Sequence, residues 1–284
     1  GAVSRTVVSP LERVKILMQL QGNHLGKQHH QNYRGVFGSL ARIYRKEGFV
    51  GYYRGNASNV IRIVPYSAVQ FAVYEQMKIY VGAESGHLDY WPRFACGAVA
   101  GVASVVVTYP LDLVRTRLSA SLELFGDTRK YQGIIQTTRS IAKTEGVAAL
   151  YKGVGPTVAG VAPYVGLNFS LHETFKHWFM DRSDDNRLTF SARVASSGLA
   201  GAIAQTSTYP LDLLRRKMQM QGASEHYPVY GSTWRCIKHI WAHDGIMGFY
   251  RGVIPNYLKV VPSVSAAFIT FDVMSAQLHA YRIV

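Results

Sequence analysis

Cysteine is nearly absent from this chain. Only Cys96 and Cys236 occur among 284 residues, too few and too far apart for a disulfide framework or for paired zinc ligands. Charge is scarce too: 17% of residues are Asp, Glu, Lys or Arg, against about 25% in ordinary soluble domains. The shortage falls on the acids, with 17 of them against 31 Lys and Arg, a net charge of +14. That balance favours anionic partners: nucleic acid, acidic lipid headgroups or a negatively charged small solute. Motifs of covalent chemistry are missing as well. There is no glycine-rich phosphate loop, no nucleophile elbow and no Ser/His/Asp arrangement. His239 and His243 stand i,i+4 but lack the glutamate of HExxH, and His24, His29 and His30 fall in a polar loop expected to face water. No metal site, no cofactor and no enzymatic activity are expected.

What is present is a phrase said three times. SPLERVK at 9–15 returns as YPLDLVR at 109–115 and as YPLDLLR at 209–215. Pro10, Pro110 and Pro210 are each followed two positions later by an acid (Glu12, Asp112, Asp212) and three further on by a base (Lys15, Arg115, Arg215). A fixed period of this size marks a repeat architecture. The repeats are expected at residues 1–84, 85–184 and 185–284. Trp91 stands nineteen positions before Pro110, whereas nine residues precede Pro10, so the first helix of the first repeat is expected to be N-terminally truncated. The lack of a visible leader therefore carries no weight.

Within each repeat the residue types follow one order. Phe94–Leu111, Gly153–Leu171 and Val194–Leu211 carry, apart from Asp, Glu, Lys and Arg being absent, much Gly, Ala, Ser and Thr. They approach the ~18 residues at which a membrane span is considered. Small residues let such helices pack closely, and Gly97 with Gly101 has GxxxG spacing. The segments 33–48, 131–146 and 230–245 are amphipathic, with Val36, Leu40, Ile43 and Tyr44 at helical spacing and bases on the other face. Aromatic-base-Gly follows each one: Tyr53-Arg54-Gly55, Tyr151-Lys152-Gly153 and Tyr250-Arg251-Gly252. A second apolar helix comes next, with Pro65, Pro163 or Pro262 near its start. One repeat thus reads as spanning helix, surface helix, spanning helix. The chain reads as an all-α membrane protein, a three-fold pseudo-symmetric bundle of six transmembrane helices with three short surface helices.

Proline inside a spanning helix removes a hydrogen bond and bends it, which brings the acid and base of each copy toward a shared centre. Ions at that depth pair with one another or line a water-filled cavity. Three bent helices, each offering one acid and one base, can close a ring of three interhelical pairs. Desolvation offsets much of the attraction in such pairs, so a ring of this kind can open as well as close.

These motifs, P-x-[DE]-x-x-[KR], the acid-Gly pair and aromatic-[KR]-G in triplicate, resemble the mitochondrial carrier family (solute carrier family 25) over the whole chain. The resemblance implies a multi-pass protein of the mitochondrial inner membrane whose surface helices lie on the matrix side, working as a monomer. The proline-linked ring would be its matrix gate. Gln19 and Gln219, four residues beyond their bases, would brace it, while Ser119 holds the third such position. A second, cytoplasmic gate of the form [FY]-[DE]-x-x-[KR] would use Tyr74, Glu75, Lys78, Glu173, Lys176 and Asp272. That copy is imperfect, because His172 replaces an aromatic residue and Ser275 a base. The surface helices would bind cardiolipin through Arg54 and Gly55, Lys152 and Gly153, and Arg251 and Gly252. Tyr33-Arg34-Gly35 and Tyr131-Gln132-Gly133 fit a companion motif, and Tyr230-Gly231-Ser232 departs from it.

A solute without three-fold symmetry must be read where the repeats differ. Three residues before the second-helix prolines stand Arg62, Gly160 and Lys259. Two bases beside a Gly160-Val161 pair fit an anion with a flat apolar part, the bases meeting phosphate and the glycine leaving room for a ring. Arg5, whose counterparts are Val105 and Gln205, adds a third base. The pattern resembles the adenine-nucleotide, coenzyme A and adenosine phosphosulfate branch of the family. RRKMQM at 215–220 departs from the RRRMMM of the ADP/ATP carrier itself. The expected activity is exchange of an adenine-nucleotide-type anion by alternating access. Alternatives are a carrier of phosphate or other non-nucleotide anions, a membrane enzyme acting on a nucleotide or acyl-coenzyme A, and a soluble basic nucleic-acid-binding repeat protein. The uncharged windows disfavour the last, since nucleic-acid binding needs basic stripes with exposed aromatics there.

Overall fold

The computed structural model describes residues 1–21, 35–81, 90–125, 133–181, 190–223 and 227–280. Every regular element among them is helical. The first repeat holds α1 (Ala2–Val7), α2 (Ser9–Leu20), α3 (Val36–Glu47), α4 (Asn56–Ile61) and α5 (Ile63–Tyr80). The second holds α6 (Tyr90–Phe125), α7 (Ile134–Thr144) and α8 (Val154–Met180), and the third α9 (Phe190–Met220), α10 (Thr233–Gly248), α11 (Val253–Leu258) and α12 (Val260–Ala280). At 1.5 Å per residue α6 is roughly 54 Å long.

Two glycine positions of the repeat shape each surface segment. The glycine of the acid-Gly pair has positive φ in all three copies, +70° at Gly48, +85° at Gly146 and +62° at Gly245, and stops or breaks the surface helix there. The glycine of aromatic-base-Gly is left-handed too, at Gly55, Gly153 and Gly252, and turns the chain into the next long helix. A side chain at Gly153 would be strained and crowded together: a Cβ there would lie 2.8 Å from the Tyr109 hydroxyl and 3.0 Å from the Arg215 carbonyl.

The apolar core lies at one end of the molecule. Val14, Leu17 and Leu20 of α2, Leu213, Leu214 and Met220 of α9, and Val36, Ile43, Cys236 and Ile240 of the surface helices form one buried cluster. Burial pushes the Cys236 thiol up to about 12. A smaller cluster joins Leu113, Val114 and Leu118 of α6 to Ile141 of α7 and the turn after it. Away from that end the long helices are apolar yet uncovered. No residue of α5 is buried, and Phe71, Ile79, Trp91, Val107, Phe169, Trp178 and Leu199 are all exposed. Apolar surface this extensive marks a face meant for lipid or for another apolar partner.

Among the described residues one helix, Trp91–Ala120, is long and apolar enough to cross a membrane. α9 is long enough but rich in hydroxyls, and these are satisfied within the helix: Thr206, Ser207 and Thr208 each donate to the carbonyl four residues back. The Gly97/Gly101 spacing splits in two. Gly101 packs against Val161 of α8, its Cβ position 3.4 Å from Cγ1, whereas Gly97 meets nothing within 4 Å and faces open space.

Two glycine substitutions separate these roles. Gly153→Ala, forced into left-handed backbone against a carbonyl, should lose about 1–3 kcal/mol of stability. Gly38→Ala lies inside α3 with no atom within 4 Å of its Cβ position, and should gain about 0.5–1 kcal/mol. Thermal melting of the two variants in detergent should move in opposite directions.

Candidate functional site

Proline sets the geometry. The helix of the first repeat breaks at Val8, just before Pro10, while Pro110 and Pro210 sit inside the continuous α6 and α9. Immediately beyond these residues the predicted charges meet, each acid with the base of the next repeat. Glu12 pairs with Arg115, Asp112 with Arg215 at 2.6 Å, and Asp212 with Lys15 at 2.7 Å. The three links form a closed ring between α2, α6 and α9.

Both predicted glutamines lie against this ring. Gln19 donates to Asp212 Oδ2 and to the Tyr209 hydroxyl, each at 3.1 Å. Gln219 donates to Asp112 Oδ2 at 2.6 Å and to the Tyr109 hydroxyl at 3.3 Å. Ser119 turns away and donates to the Arg54 carbonyl. The third pair is served by a residue that the sequence reading passed over. Asn59 of α4 accepts from Arg115 at 2.7 Å and from Arg5 at 2.9 Å, and donates to Glu12 at 3.3 Å. Its signal was there, since the repeat counterparts Thr157 and Asn256 are also polar inside apolar turns. Tyr109 and Tyr209 were passed over too. Their hydroxyls donate to the carbonyls of Lys152 and Arg251, and their rings stack on Tyr151 and Tyr250. Ser9 does the same work in the first repeat, donating to the Tyr52 carbonyl; the YP dipeptide at two of three prolines was the clue.

The bases predicted to meet a solute reach the ring from the side. Arg62 pairs with Asp112 Oδ1 at 2.7 Å, and its guanidinium lies 5.4 Å from the Tyr66 ring centroid. Lys259 approaches Glu12 Oε1 at 3.4 Å. Both bases occupy the interruptions between α4 and α5 and between α11 and α12, whereas Gly160 sits within the unbroken α8. Arg216, a base without counterpart in the other repeats (Ile16 and Thr116), contacts Asp112 at 3.1 Å, Thr116 and Gln219. The ring is therefore unequal. Asp112 is held by Arg62, Arg215 and Arg216, Glu12 by Arg115 and Lys259, and Asp212 by Lys15.

Where the middle repeat supplies glycine, there is space. Gly160 and Val161 line a cavity of about 440 Å³ together with Tyr66, Tyr164, Gln205, Asp212 and Arg215. Its floor is charged and its walls are largely apolar or small.

Among the described residues the motifs at the far ends of the second helices are not joined in the same way. Lys78 pairs with Glu75 at 2.9 Å, and Lys176 with Glu173 at 3.8 Å, each within its own helix and exposed. The Lys78 ammonium also lies 5.6 Å from the Tyr74 ring centroid. The side chain of Asp272 falls outside the described residues.

Around the surface helices the aromatic-base-Gly bases fold inward onto the acid-Gly acids. Arg54 meets Glu47 at 3.5 Å, Lys152 meets Glu145 at 2.7 Å and Arg251 meets Asp244 at 3.0 Å. Each acid takes a second cation from a long helix: Arg13, Arg117 and Lys217 respectively. None of these three cations was read from the sequence; Arg117 and Lys217 share one repeat position, whereas Arg13 sits one helical turn before it and its counterpart there is Leu17. Burial raises the Glu145 carboxyl, but hydrogen bonds from Arg117 and Lys152 outweigh it and hold the group below the usual carboxylate range. Tyr33, Arg34, Tyr131 and Gln132 of the companion motif lie outside the described residues.

A family model described as "Mitochondrial carrier protein" matches three times, over residues 1–85, 86–183 and 186–282. The chain belongs to the mitochondrial carrier family. Members are transporters and not enzymes, and the carrier carries three repeats of that family's unit. It is 38% identical to the mitochondrial adenine nucleotide transporter ADNT1 of Arabidopsis thaliana, over 96% of this chain and 83% of the relative. It is 36% identical to the mitochondrial coenzyme A transporter SLC25A42 of Xenopus tropicalis, over 96% and 81%. A probable envelope ADP,ATP carrier protein of A. thaliana chloroplasts is also 36% identical, over 96% and 68%.

The unequal ring makes an ordered expectation. Removing one partner of a buried pair typically costs about 3–5 kcal/mol, because the other ion is left uncompensated. Asp112→Asn strands three guanidinium groups and should lower the carrier's melting temperature further than Asp212→Asn, which strands Lys15. Melting of both variants in the same detergent checks the order.

Proposed function

We propose that the carrier is a six-span protein of the mitochondrial inner membrane. It exchanges adenine-nucleotide-type anions (coenzyme A, adenosine 3′,5′-bisphosphate, adenosine phosphosulfates or ATP, ADP and AMP) by alternating access between two charge networks. One observation carries the reading: Arg62 and Lys259 reach Asp112 and Glu12 of the closed ring, and the ring's Asp212 and Arg215 line the cavity beside Gly160. Phosphate groups arriving there compete with Asp112 and Glu12 for the same two bases. Binding then loosens two of the three acids that hold the ring shut, while the flat part of the solute uses the space beside Gly160 and Val161. Arg5, held beside Arg115 through Asn59, adds a third cation for the same anion. A solute can open a gate only through an affinity that differs between the closed and open states, and this competition supplies that difference.

In this reading the ring of Glu12, Lys15, Asp112, Arg115, Asp212 and Arg215 is the matrix gate, with Gln19 and Gln219 as its braces. Glu75, Lys78, Glu173, Lys176 and Asp272, with Tyr74, form the cytoplasmic gate. Closed pairs between helices at one end, and among the described residues pairs only within helices at the other, correspond to the state open to the cytoplasm. The three surface helices lie on the matrix side. Arg54, Lys152 and Arg251, with Gly55, Gly153 and Gly252 opening the next helices, bind the phosphates of cardiolipin, since helix N-termini favour anions. A single copy suffices, because the ring and the cavity both close within one chain. Names of relatives that carry adenine nucleotides or coenzyme A support the solute class.

The decisive test is exchange into liposomes holding the purified carrier, preloaded with ADP, coenzyme A, adenosine 3′,5′-bisphosphate or phosphate. Exchange of an adenine-containing solute should fall by at least roughly tenfold in Arg62→Ala and in Lys259→Ala. Movement of phosphate or non-nucleotide acids alone would mean that Gly160 and Val161 serve packing, and that the solute class is wrong.

A further inference from the structure

On the α9 wall of the cavity one polar side chain makes no hydrogen bond to another described residue. Several of its lining side chains are already committed. Thr157 donates to the Gly153 carbonyl and Thr208 to the Ala204 carbonyl. Asp212 is paired with Lys15 and Gln19, and Arg215 with Asp112. Gln205 lines the same cavity, is half-buried, and makes no hydrogen bond to another described residue.

Its height in the cavity follows from the packing of α8 on α9. The Cβ position of Gly160 lies 3.6 Å from Leu211, and that of Gly201 lies 3.8 Å from Asn168 Oδ1. These two approaches set an antiparallel register in which Tyr164 and Val165 stand beside residues 205 and 206. Gln205 therefore stands at the level of residue 164, about one turn from Gly160, and all three line the cavity. At the same level the other two repeats carry Arg5, tied to Asn59, and the apolar Val105. A half-buried amide with uncommitted donors and acceptor, beside an aromatic face in an apolar slot, is the chemistry that reads the edge of a planar heterocycle. A glutamine amide matches adenine in particular: its carbonyl accepts from the exocyclic N6 amine while its NH2 donates to N7.

We propose that Gln205 is the specificity residue that reads the base, its amide bonding the N6/N7 edge of adenine while Arg62 and Lys259 hold the phosphates. The inference rests on the adenine-nucleotide reading above and names the residue that would enforce it. A solute lacking the amine leaves the Gln205 carbonyl unmatched, and sites built around a polar contact reject such analogues.

The test is a competition in liposomes reconstituted with the full chain, between ADP and purine riboside diphosphate, which is ADP without its exocyclic amine. The ratio of the two uptakes does not depend on how much folded protein each preparation holds. The parent should prefer ADP by roughly tenfold, and Gln205→Leu should carry both at similar rates. Gln205→Asn keeps the amide on a shorter arm and should retain part of the preference. If Gln205→Leu keeps the parent's preference, or if the parent shows none while still exchanging ADP, Gln205 does not read the base and the inference falls alone. If the parent moves phosphate but neither nucleotide, the adenine-nucleotide reading falls and takes this one with it.

Discussion

Three carboxylates drawn largely out of water, each two residues beyond a helix proline, are the constraint on which the rest of the molecule depends. An ionised acid in such surroundings must find cations and hydrogen-bond donors, and α2, α6 and α9 can supply them only by converging. Proline makes the convergence possible, and the ring that results ties the three repeats together where their apolar core begins. Everything directly beneath it, from the tyrosine hydroxyls on the surface-helix turns to the double cation pairs on Glu47, Glu145 and Asp244, holds those three helix ends at the distance the pairs require.

Symmetry supplies the ring, and departures from symmetry supply what can make it selective. Asp112 is surrounded by three guanidinium groups while Asp212 has one ammonium. The difference traces to two positions, the glycine that stands at 160 where its counterparts are Arg62 and Lys259, and the extra arginine at 216. Where bases are added, the acids are over-compensated and the bases can be shared with an anion. Where the base is missing, a cavity opens over the least supported acid. In the proposed cycle a bound solute therefore acts on the ring unevenly, drawing cations from Asp112 and Glu12. The same economy of net attraction that makes buried ion pairs poor stabilisers suits a network that has to break and re-form.

Much of this architecture was legible in residue order. The repeat, the surface helices, the ring and its two glutamines could be read because each is written in the same register three times. Asn59 was harder to see, because it performs for one pair the task that glutamine performs for the other two, from a different helix. The second cations on the surface-helix acids were hidden too: Arg117 and Lys217 share a repeat position, but Arg13 reaches Glu47 from one turn away, and a long side chain makes up the difference. Repeats are searched by spacing, whereas ion pairs need only end-group distance.

Residue order by itself determined that the chain is helical, three-fold and basic, that its charges follow helix prolines, and that two bases and a glycine occupy equivalent places. Those properties follow from local chemistry: glycine at positive φ, proline without its N–H, apolar residues at helical period. Only the tertiary structure decided how the charges are shared, which acid takes three cations and which takes one, and that Glu75 and Glu173 pair within their own helices. It also decided that Gln205 stands uncommitted beside Tyr164. The reason is that partnership between helices depends on their register and separation, and these are set by close contacts such as Gly160 on Leu211 rather than by any single segment's own preferences.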